Sequence, residues 1–182
     1  MKFAELPRSN LVLPTAGRPR SKTMRITQIE KNKMALCLRV LEQLPNWFAI
    51  RSAREDYARA LKRLSLFGCY TDHDYPIGIL SLKFHNTWNA EIHVMGVLPA
   101  WHRRGIGTLL VEKAEKHAIS QGVNLLSVKT ISALNSDPYY AKTRQFYNAV
   151  GFEEFEELRT LWGVENPCLL MIKQIQLPVC GR

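Results

Sequence analysis

The chain has 182 residues, of which 46% are hydrophobic, 23% charged and 9% aromatic. This length and balance suit one globular domain with a sizeable core, and they exclude a fibrous, low-complexity or wholly disordered chain. The longest uninterrupted apolar stretch, Val94–Trp101, is far shorter than the ~20 residues of a membrane-spanning helix. No membrane partner is therefore expected.

Lysine and arginine exceed aspartate and glutamate by 25 to 16, and the excess is concentrated at the start of the chain. Residues 1–25 contain six basic residues and one acidic residue, without sustained apolar periodicity. We interpret residues 1–23 as a flexible basic leader, 24–177 as one folded domain and 178–182 as a tail. Because only Phe3 interleaves with the basic charges, no nucleic-acid partner is expected, and a nucleic-acid arm is the alternative.

The four cysteines form no Cys-x-x-Cys pair and match no zinc or redox spacing: Cys37, Cys69, Cys168 and Cys180. Near the start, Leu11–Leu13 is followed at once by Pro14, so the apolar run is too short for a secretory signal. We therefore expect reduced thiols, no metal site and a cytoplasmic location.

The apolar periodicity predicts eleven elements in the order β-α-α-β-β-β-α-β-α-β-β. The second helix is expected to begin at Ser52 as its N-cap, with Glu55 three residues later. Turn residues between the second, third and fourth strands predict an antiparallel meander. Helices are expected at 34–44, 52–61, 105–121 and 138–150, and strands at 24–30, 64–71, 77–84, 90–98, 125–130, 152–158 and 168–175.

The most informative window joins the fourth predicted strand to the third predicted helix. Gly105 and Gly107 lie one residue apart at the helix start, where unpaired N–H groups attract an anion and glycine allows close approach. Arg103 and Arg104 add positive charge beside them. We predict a phosphate-binding loop, and a tight turn without a ligand is the alternative for these glycines alone. Leu110 replaces the third glycine of a dinucleotide motif, which argues against a Rossmann unit.

Two motifs resemble the hallmarks of one family. His102–Gly107 is similar to the (Gln/Arg)-x-x-Gly-x-(Gly/Ala) pyrophosphate loop of the GNAT superfamily of acyl-CoA-dependent N-acetyltransferases, with His102 where the family usually has Gln or Arg. Phe146–Phe152 resembles the superfamily's Phe-Tyr-x-x-x-Gly-Phe motif. The resemblance spans about residues 24–177. It implies the α/β (α+β) GNAT fold, a central mixed, mostly antiparallel sheet of six to seven strands flanked by about four helices.

The resemblance also implies an activity. The chain is expected to transfer the acetyl group of acetyl-CoA to a primary amine, on a small molecule or a protein, by direct attack in a ternary complex. Acetyl-CoA is then the donor co-substrate, no metal takes part, and a homodimer is an assembly that the family commonly forms. The alternative from another class is a non-catalytic acyl-CoA-binding sensor or docking module.

The resemblance places the coenzyme on the strand before the pyrophosphate loop, on the loop itself and on the last helix. Gly96 would permit a bulge that opens this strand for pantetheine. Many relatives have Asn where this chain has Tyr140, and Asn135 is a doubtful substitute because its neighbours suit a turn and a helix start. The expected coenzyme-binding residues are Met95, Gly96, Val97, His102, Arg103, Arg104, Gly105, Ile106, Gly107, Thr108 and Tyr140.

The expected catalytic residues are Glu91 and Tyr147. An acceptor amine is protonated at neutral pH, so a base or a water relay must remove a proton before attack. The histone-acetylating branch of the family carries its base at the position of Glu91, and His93 two residues later is an alternative base. Tyr147 matches the family's acid for the coenzyme thiolate. By helical spacing it points away from Phe146 and Val150, so it need not be a core aromatic.

Acceptor choice is expected to reside in the early helices and the late hairpin. We interpret the large apolar side chains there mainly as core: Trp47, Phe48, Tyr139, Tyr140, Leu161 and Trp162. The four glutamates around Phe155 are predicted to form a solvated strand face: Glu153, Glu154, Glu156 and Glu157.

Overall fold

The computed structural model describes residues 24–176. The expected leader and tail lie outside the described residues. The strands are β1 (Arg25–Gln28), β2 (Ser65–Tyr70), β3 (Pro76–Phe84), β4 (Asn89–Val97), β5 (Leu125–Ile131), β6 (Glu153–Leu158) and β7 (Cys168–Gln174). The helices are α1 (Lys33–Leu41), α2 (Arg51–Ala60), α3 (Ile106–Ser120) and α4 (Pro138–Ala149). The predicted element order is confirmed.

All seven strands form one sheet in the order β1-β2-β3-β4-β5-β7-β6. The strands β4 and β5 pair in parallel, and every other neighbouring pair is antiparallel. Two short 3₁₀ turns that the periodicity did not predict follow α2 and β4, at Leu61–Arg63 and Pro99–Trp101. No helix within residues 24–176 combines the length and the apolar character needed to cross a bilayer.

Among the four helices of residues 24–176, only α4 begins with a side-chain N-cap. The Asp137 carboxylate accepts hydrogen bonds from the N–H groups of Tyr139 and Tyr140 at the start of α4, so the helix is capped in the usual way. The prediction that Ser52 caps α2 is wrong. The helix begins at Arg51, and Ile50 stands at the cap without a side-chain hydrogen bond.

The two faces of β4 contact different helices. A Cβ at Gly96 would meet Leu44 and Leu41 from α1 and the segment that follows it. On the opposite face, the Met95 side chain lies next to Gly107 at the start of α3. The sheet is therefore covered on one face by α1 and on the other by α3, and β4 is held between them.

The bulge in β4 lies at His93, so the prediction that Gly96 provides it is wrong. Opposite β3, Ile92 pairs with Leu82 and Val94 pairs with Ser81, which leaves His93 as the extra residue. Farther along β4 the register is regular again. An extra residue bends a strand and increases its twist, so β4 changes direction at this point.

Pairing between β4 and β5 stops just before the bulge. The last matched pair is Ile92 with Val128, whereas β4 continues beside β3 to Val97 and β5 continues beside β7 to Ile131. The carboxyl-terminal halves of these two neighbouring strands therefore have no strand partner on their facing edges. We call the space between them the interstrand gap.

Replacing Gly96 with alanine is expected to destabilise the fold. The new Cβ would come within 2.6 Å of the side chain of the buried Leu44, which would have to shift. Overpacking of this kind costs roughly 1–3 kcal/mol of the free energy of unfolding. Urea denaturation followed by circular dichroism measures the change, and an unaltered midpoint would contradict the packing described for α1 on β4.

Candidate functional site

The loop between β4 and α3 presents a row of unpaired main-chain donors. The chain takes left-handed conformations at Arg103 (φ 59°) and Gly105 (φ 77°) before entering α3. The first helical hydrogen bond runs from the Leu109 N–H to the Gly105 carbonyl. Within the described residues, the N–H groups of 103–108 donate to no acceptor. Such a row at a helix N-terminus is suited to an anion, and the phosphate-binding loop expected from the sequence stays a prediction.

The two glycines of the loop are needed for different reasons. Gly105 adopts a positive φ, and a Cβ there would meet no atom within 4 Å. A Cβ at Gly107 would come within 2.8 Å of the Phe146 ring. Gly105 thus provides backbone freedom and an open face, whereas Gly107 lets the start of α3 pack closely on α4.

The side chains of the loop already have protein contacts. The Arg104 guanidinium lies over the Trp101 ring, 4.8 Å from its centroid. His102, the departure from the usual motif, donates from Nε2 to the Val97 carbonyl at 2.7 Å. The His102 ring also packs edge-on against Trp47, with 5.8 Å between the centroids. His102 therefore connects the loop to the end of β4 and to the segment between α1 and α2.

Main-chain groups of β4 point into the interstrand gap. The Leu98 N–H binds the Ile77 carbonyl on the β3 side. Because neighbouring residues of a strand direct these groups to opposite sides, Met95 and Val97 direct theirs away from β3 and into the gap. The Val97 carbonyl is occupied by His102. The gap is thus lined by donors and acceptors that can pair with an extended ligand.

Tyr147 is the buried aromatic residue of α4. Its ring packs beside Phe146 and Phe152, with centroid distances of 5.3 and 5.5 Å, and only 6% of the residue is exposed. Helical spacing indicates Phe146 as the core residue, yet the structure buries Tyr147 more deeply. Burial, with a smaller contribution from Tyr57, raises the pKa of the Tyr147 hydroxyl. It therefore stays protonated at neutral pH and can donate.

Glu91 is part of a compact charged cluster. Its carboxylate accepts hydrogen bonds from Lys129 Nζ at 2.8 Å and His85 Nε2 at 2.6 Å. Burial alone would raise the pKa of Glu91, but the bonds from Lys129 and His85 outweigh it, so the pKa lies below the usual value. Glu91 is therefore ionised and paired at neutral pH. Its role as a base stays a prediction.

His93 lies near Glu91 but has no hydrogen bond through Nε2. This nitrogen is buried and finds no partner within residues 24–176. The ring packs edge-on against Tyr57 of α2, with centroids 5.4 Å apart. Burial lowers the pKa of His93, and nearby Glu91 opposes the effect. His93 is therefore mainly neutral at pH 7.

The segment between α1 and α2 reaches α4 across the interstrand gap. Trp47 Nε1 donates to the Thr143 hydroxyl at 3.1 Å, and the Trp47 ring packs against Tyr139 at 5.0 Å. The Tyr140 hydroxyl donates to the Trp47 carbonyl at 3.0 Å. Tyr140, an expected coenzyme-binding residue, thus holds a main-chain oxygen of the protein. These contacts form a bridge over the gap, which we call the Trp47 bridge.

The other residues considered in the sequence analysis lie in turns or on the surface of the protein. Asn135 binds the Asp137 N–H and the Glu165 carbonyl, which fits the turn and helix start expected there. The four glutamates of β6 are exposed, as predicted. Trp162 and Leu161 are 41% and 51% exposed, so their interpretation as core is wrong. These two lie in the turn between β6 and β7.

The described cysteines are buried thiols. Cys37, Cys69 and Cys168 form no disulfide, and burial raises the pKa to about 12 for Cys37 and to about 11 for the other two. Cys180 lies outside the described residues. Within 24–176, no three His, Cys, Asp or Glu side chains converge as metal ligands would.

The sequence model of the Acetyltransferase (GNAT) family matches residues 36–152. This chain belongs to the GNAT acetyltransferase family. An uncharacterised N-acetyltransferase from Chlorobaculum tepidum is 37% identical over 81 residues, 44% of this chain and 45% of that protein. The chain thus matches less than half the length of this curated relative.

Solved GNAT structures share the fold. A ribosomal-protein-S18-alanine N-acetyltransferase from Escherichia coli superposes with a TM-score of 0.68 at 16% identity, covering 88% of this chain and 99% of that one. An aminoglycoside 6'-N-acetyltransferase complexed with coenzyme A gives 0.68 at 17% identity, covering 85% and 99%. The predicted GNAT fold is confirmed.

Several residues of the site were not anticipated from the sequence. Lys129 and His85 hold Glu91, and Tyr57 packs on His93. Trp47 is interpreted from the sequence as core, but its bridge to α4 is not expected from it. The sequence contains one signal for Lys129. It lies two residues after Ser127 in β5 and so shares the face of that buried residue, which indicates a lysine that is partly buried and needs an acidic partner.

Replacing Lys129 with methionine is expected to destabilise the protein at neutral pH. Glu91 would lose a hydrogen-bonded cation in a half-buried setting, at a cost of roughly 1–3 kcal/mol. The lowered pKa of Glu91 means that this stabilisation is present above its unfolded value of 4.5 and is lost as pH falls further. Urea denaturation at pH values from about 3 to about 8 measures this change in the free energy of unfolding.

Lys83→Met is the matched control for this measurement. Lys83 lies opposite Glu91 on β3 but makes no hydrogen bond with it. Its loss should change the free energy of unfolding much less. Equal losses in the two variants would contradict a specific role for Lys129.

Proposed function

We propose that the chain transfers the acetyl group of acetyl-CoA to a primary amine by direct attack in a ternary complex. The observation that carries this proposal is the row of unpaired N–H groups at 103–108, placed at the open end of the interstrand gap. The N–H groups can bind an anion, and the interstrand gap beside them presents main-chain donors and acceptors. Together they suit a ligand that has a diphosphate and an extended arm with amide groups. Membership of the GNAT family supports the same ligand.

The loop residues are proposed to hold the diphosphate. The donors are the N–H groups of 103–108, which include Gly105, Ile106, Gly107 and Thr108, and the exposed Arg103 and Arg104 add positive charge. The Val97 carbonyl becomes available to the coenzyme if His102 turns away from it. Tyr140 borders the same space through the Trp47 bridge.

The arm of the coenzyme is proposed to run along β4. Met95 and Val97 direct main-chain groups into the gap, and Gly96 between them leaves that edge free of a side chain on the α1 face. Acetyl-CoA supplies an activated acetyl thioester when bound. An N–H group of Met95 or Val97 is suited to stabilise the carbonyl oxygen of the acetyl group as charge develops on it.

Two side chains are proposed to serve the chemical step. Tyr147 keeps its proton at neutral pH and lies beside Phe146, which contacts the loop helix, so it is suited to protonate the departing thiolate. Glu91 keeps a negative charge next to the gap, which favours a cationic amine there. These assignments follow the residues that the family resemblance indicates.

Direct transfer is favoured over a covalent acetyl-enzyme. The nucleophilic form of cysteine is the thiolate, and burial keeps the three described cysteines protonated. The charges of Lys129 and Glu91 act on Cys168, and burial raises its pKa to about 11 in spite of Lys129. It is therefore a poor nucleophile at neutral pH.

The acceptor is proposed to be a primary amine on a small molecule or a protein. The structural neighbours named above act on an aminoglycoside and on a ribosomal protein's alanine, which supports both kinds of acceptor. We expect the protein to act in the cytoplasm and to form a homodimer.

An acceptor screen with thiol release as its readout tests the proposal. Aminoglycosides, polyamines and peptides with free amino ends are each mixed with the chain and acetyl-CoA, and calorimetry with coenzyme A runs beside them. Release of coenzyme A that depends on one amine is the expected result. Tight coenzyme binding without transfer to any amine would favour the alternative of a binding module, and absence of binding would contradict both.

Gly105→Ala is expected to weaken coenzyme A binding. The positive φ of Gly105 strains any residue with a Cβ by about 1–2 kcal/mol, and the loop can relieve this strain only by rotating its N–H groups. A loss of about tenfold in affinity is expected, as measured by calorimetry.

Gly122→Ala is the matched control for Gly105→Ala. Gly122 lies past the other end of α3 with φ +81°, and a Cβ there also meets nothing within 4 Å. The two substitutions impose the same kind of strain on the same helix, so only proximity to the ligand differs. Unchanged affinity in both variants would contradict the proposed diphosphate seat.

Tyr147→Phe is expected to lower kcat by about 100-fold while coenzyme A affinity stays within about twofold. The substitution removes one hydroxyl and preserves the ring contacts with Phe146 and Phe152. Tyr70→Phe is the control, because burial also raises the pKa of Tyr70 but this residue lies on β2. Equal turnover in the wild-type chain and both variants would remove Tyr147 from the mechanism.

A further inference from the structure

His93 occupies the apex of the interstrand gap. It is the first residue of β4 after the last pair with β5, Ile92 with Val128, and it is also the extra residue of the bulge. The reacting carbonyl of a ligand that enters along β4 would reach this apex, since the gap closes there. The bulge thus places an imidazole where the two substrates would meet.

The Nε2 atom of His93 is a buried polar atom without a partner in the described part of the chain. Buried nitrogens are nearly always hydrogen-bonded, because loss of water without a replacement is costly. The ring is fixed from one side by Tyr57, which contacts it edge-on. In the tautomer protonated at Nδ1, Nε2 carries a lone pair that is available to a proton donor.

Glu91 is less suited than His93 to remove a proton. Its carboxylate already accepts hydrogen bonds from Lys129 and His85. These bonds hold its pKa below the ordinary value, which weakens it as a base. Its negative charge nevertheless favours a positive charge on the neighbouring His93. The two residues therefore fit complementary roles.

Resting on the function proposed above, we infer that His93 Nε2 is the general base that takes a proton from the acceptor ammonium, with Glu91 stabilising the imidazolium that forms. The amine lone pair then forms the new N–C bond, and the C–S bond breaks. The thiolate takes its proton from Tyr147. The second proton of the nitrogen restores the Tyr147 phenol, and His93 releases its proton to water.

The groups that face His93 set the pH range of this step. Burial lowers the pKa of His93 below its ordinary 6.5, and positive charges nearby lower it further, while Glu91 raises it. Protonation of His93 in acid therefore stops proton removal below that lowered value. The facing groups are Tyr57 from α2, Glu91 from β4, Lys83 from β3, His85 from the turn after β3 and Lys129 from β5.

The test is the pH dependence of kcat/KM for the best acceptor of the screen, in the wild-type chain and in His93→Gln. The wild-type profile should be level between the pKa of His93 and that of the amine, about 10.4 for an alkylamine, and should fall in acid. His93→Gln should lose about 100-fold or more near neutral pH. Its profile should rise with unit slope up to the pKa of the amine, because only the free amine then reacts.

His117→Gln is the matched control. His117 is another partly buried histidine whose pKa is lowered by burial, but it lies on α3 beside Phe67 and Phe84. Its profile should match the wild-type profile. Calorimetry with coenzyme A and thermal unfolding verify that each variant is folded and binds the donor.

Glu91→Gln separates the two candidate bases. If His93 is the base, this variant keeps an acidic limb, and the limb moves to lower pH because the carboxylate no longer favours the imidazolium. Loss of the limb in Glu91→Gln together with an unaltered profile in His93→Gln would overturn the inference and assign the base to Glu91. Absence of transfer by the wild-type chain would contradict the proposed function, and the role of His93 with it.

Discussion

Hydrogen bonding between β4 and β5 stops at the pair Ile92–Val128, and the site depends on this interruption. The strand β4 stays paired with β3 to its end, and β5 stays paired with β7 to its end. The sheet therefore remains continuous although β4 and β5 separate. Main-chain groups that would otherwise be used in the sheet then face a cleft. A ligand can pair with them in the manner of an added strand.

The bulge at His93 and the loop after β4 lie at opposite ends of the interstrand gap. The bulge changes the direction of β4 at the closed end and puts a histidine there. At the open end, β4 leads into the loop whose left-handed residue Gly105 precedes the unpaired first N–H groups of α3. The ends of the gap are thus suited to different parts of one ligand, a reactive group and an anion.

The Trp47 bridge joins the two sides of the gap in the structure. Trp47 contacts the loop through His102 and contacts α4 through Tyr139, Tyr140 and Thr143. His102 in turn occupies the Val97 carbonyl, one of the main-chain groups that face the gap. The segment between α1 and α2 is therefore coupled by contact to the residues that are proposed to hold the coenzyme.

Features encoded by neighbouring residues could be predicted from the sequence. The element order, the hairpins and the glycines of the loop follow from local periodicity and turn chemistry, and the two motifs indicated the family. A glycine is the usual local sign of a bulge, so the sequence indicates Gly96, whereas the position of the bulge depends on the register of β4 against β3.

Contacts between distant segments could not be predicted. Glu91 meets Lys129 across 38 positions, and Trp47 meets Thr143 across 96. The residues around Lys129 and Thr143 show no pattern that identifies these partners. The residues of each pair come together only when the sheet and helices are assembled. The burial of Tyr147 is similar, because helical spacing gives the faces of α4 but not which face the neighbouring elements cover.

Amide chemical-shift mapping during titration with coenzyme A would show whether the ligand occupies both the loop and the interstrand gap. The N–H signals of residues 103–108, together with those of Met95 and Val97, should shift along one binding curve as the ligand fills the loop and the gap. Signals of β1 and β2 should stay in place. Titration to millimolar coenzyme A that leaves the loop and β4 signals unmoved would contradict coenzyme binding in the interstrand gap.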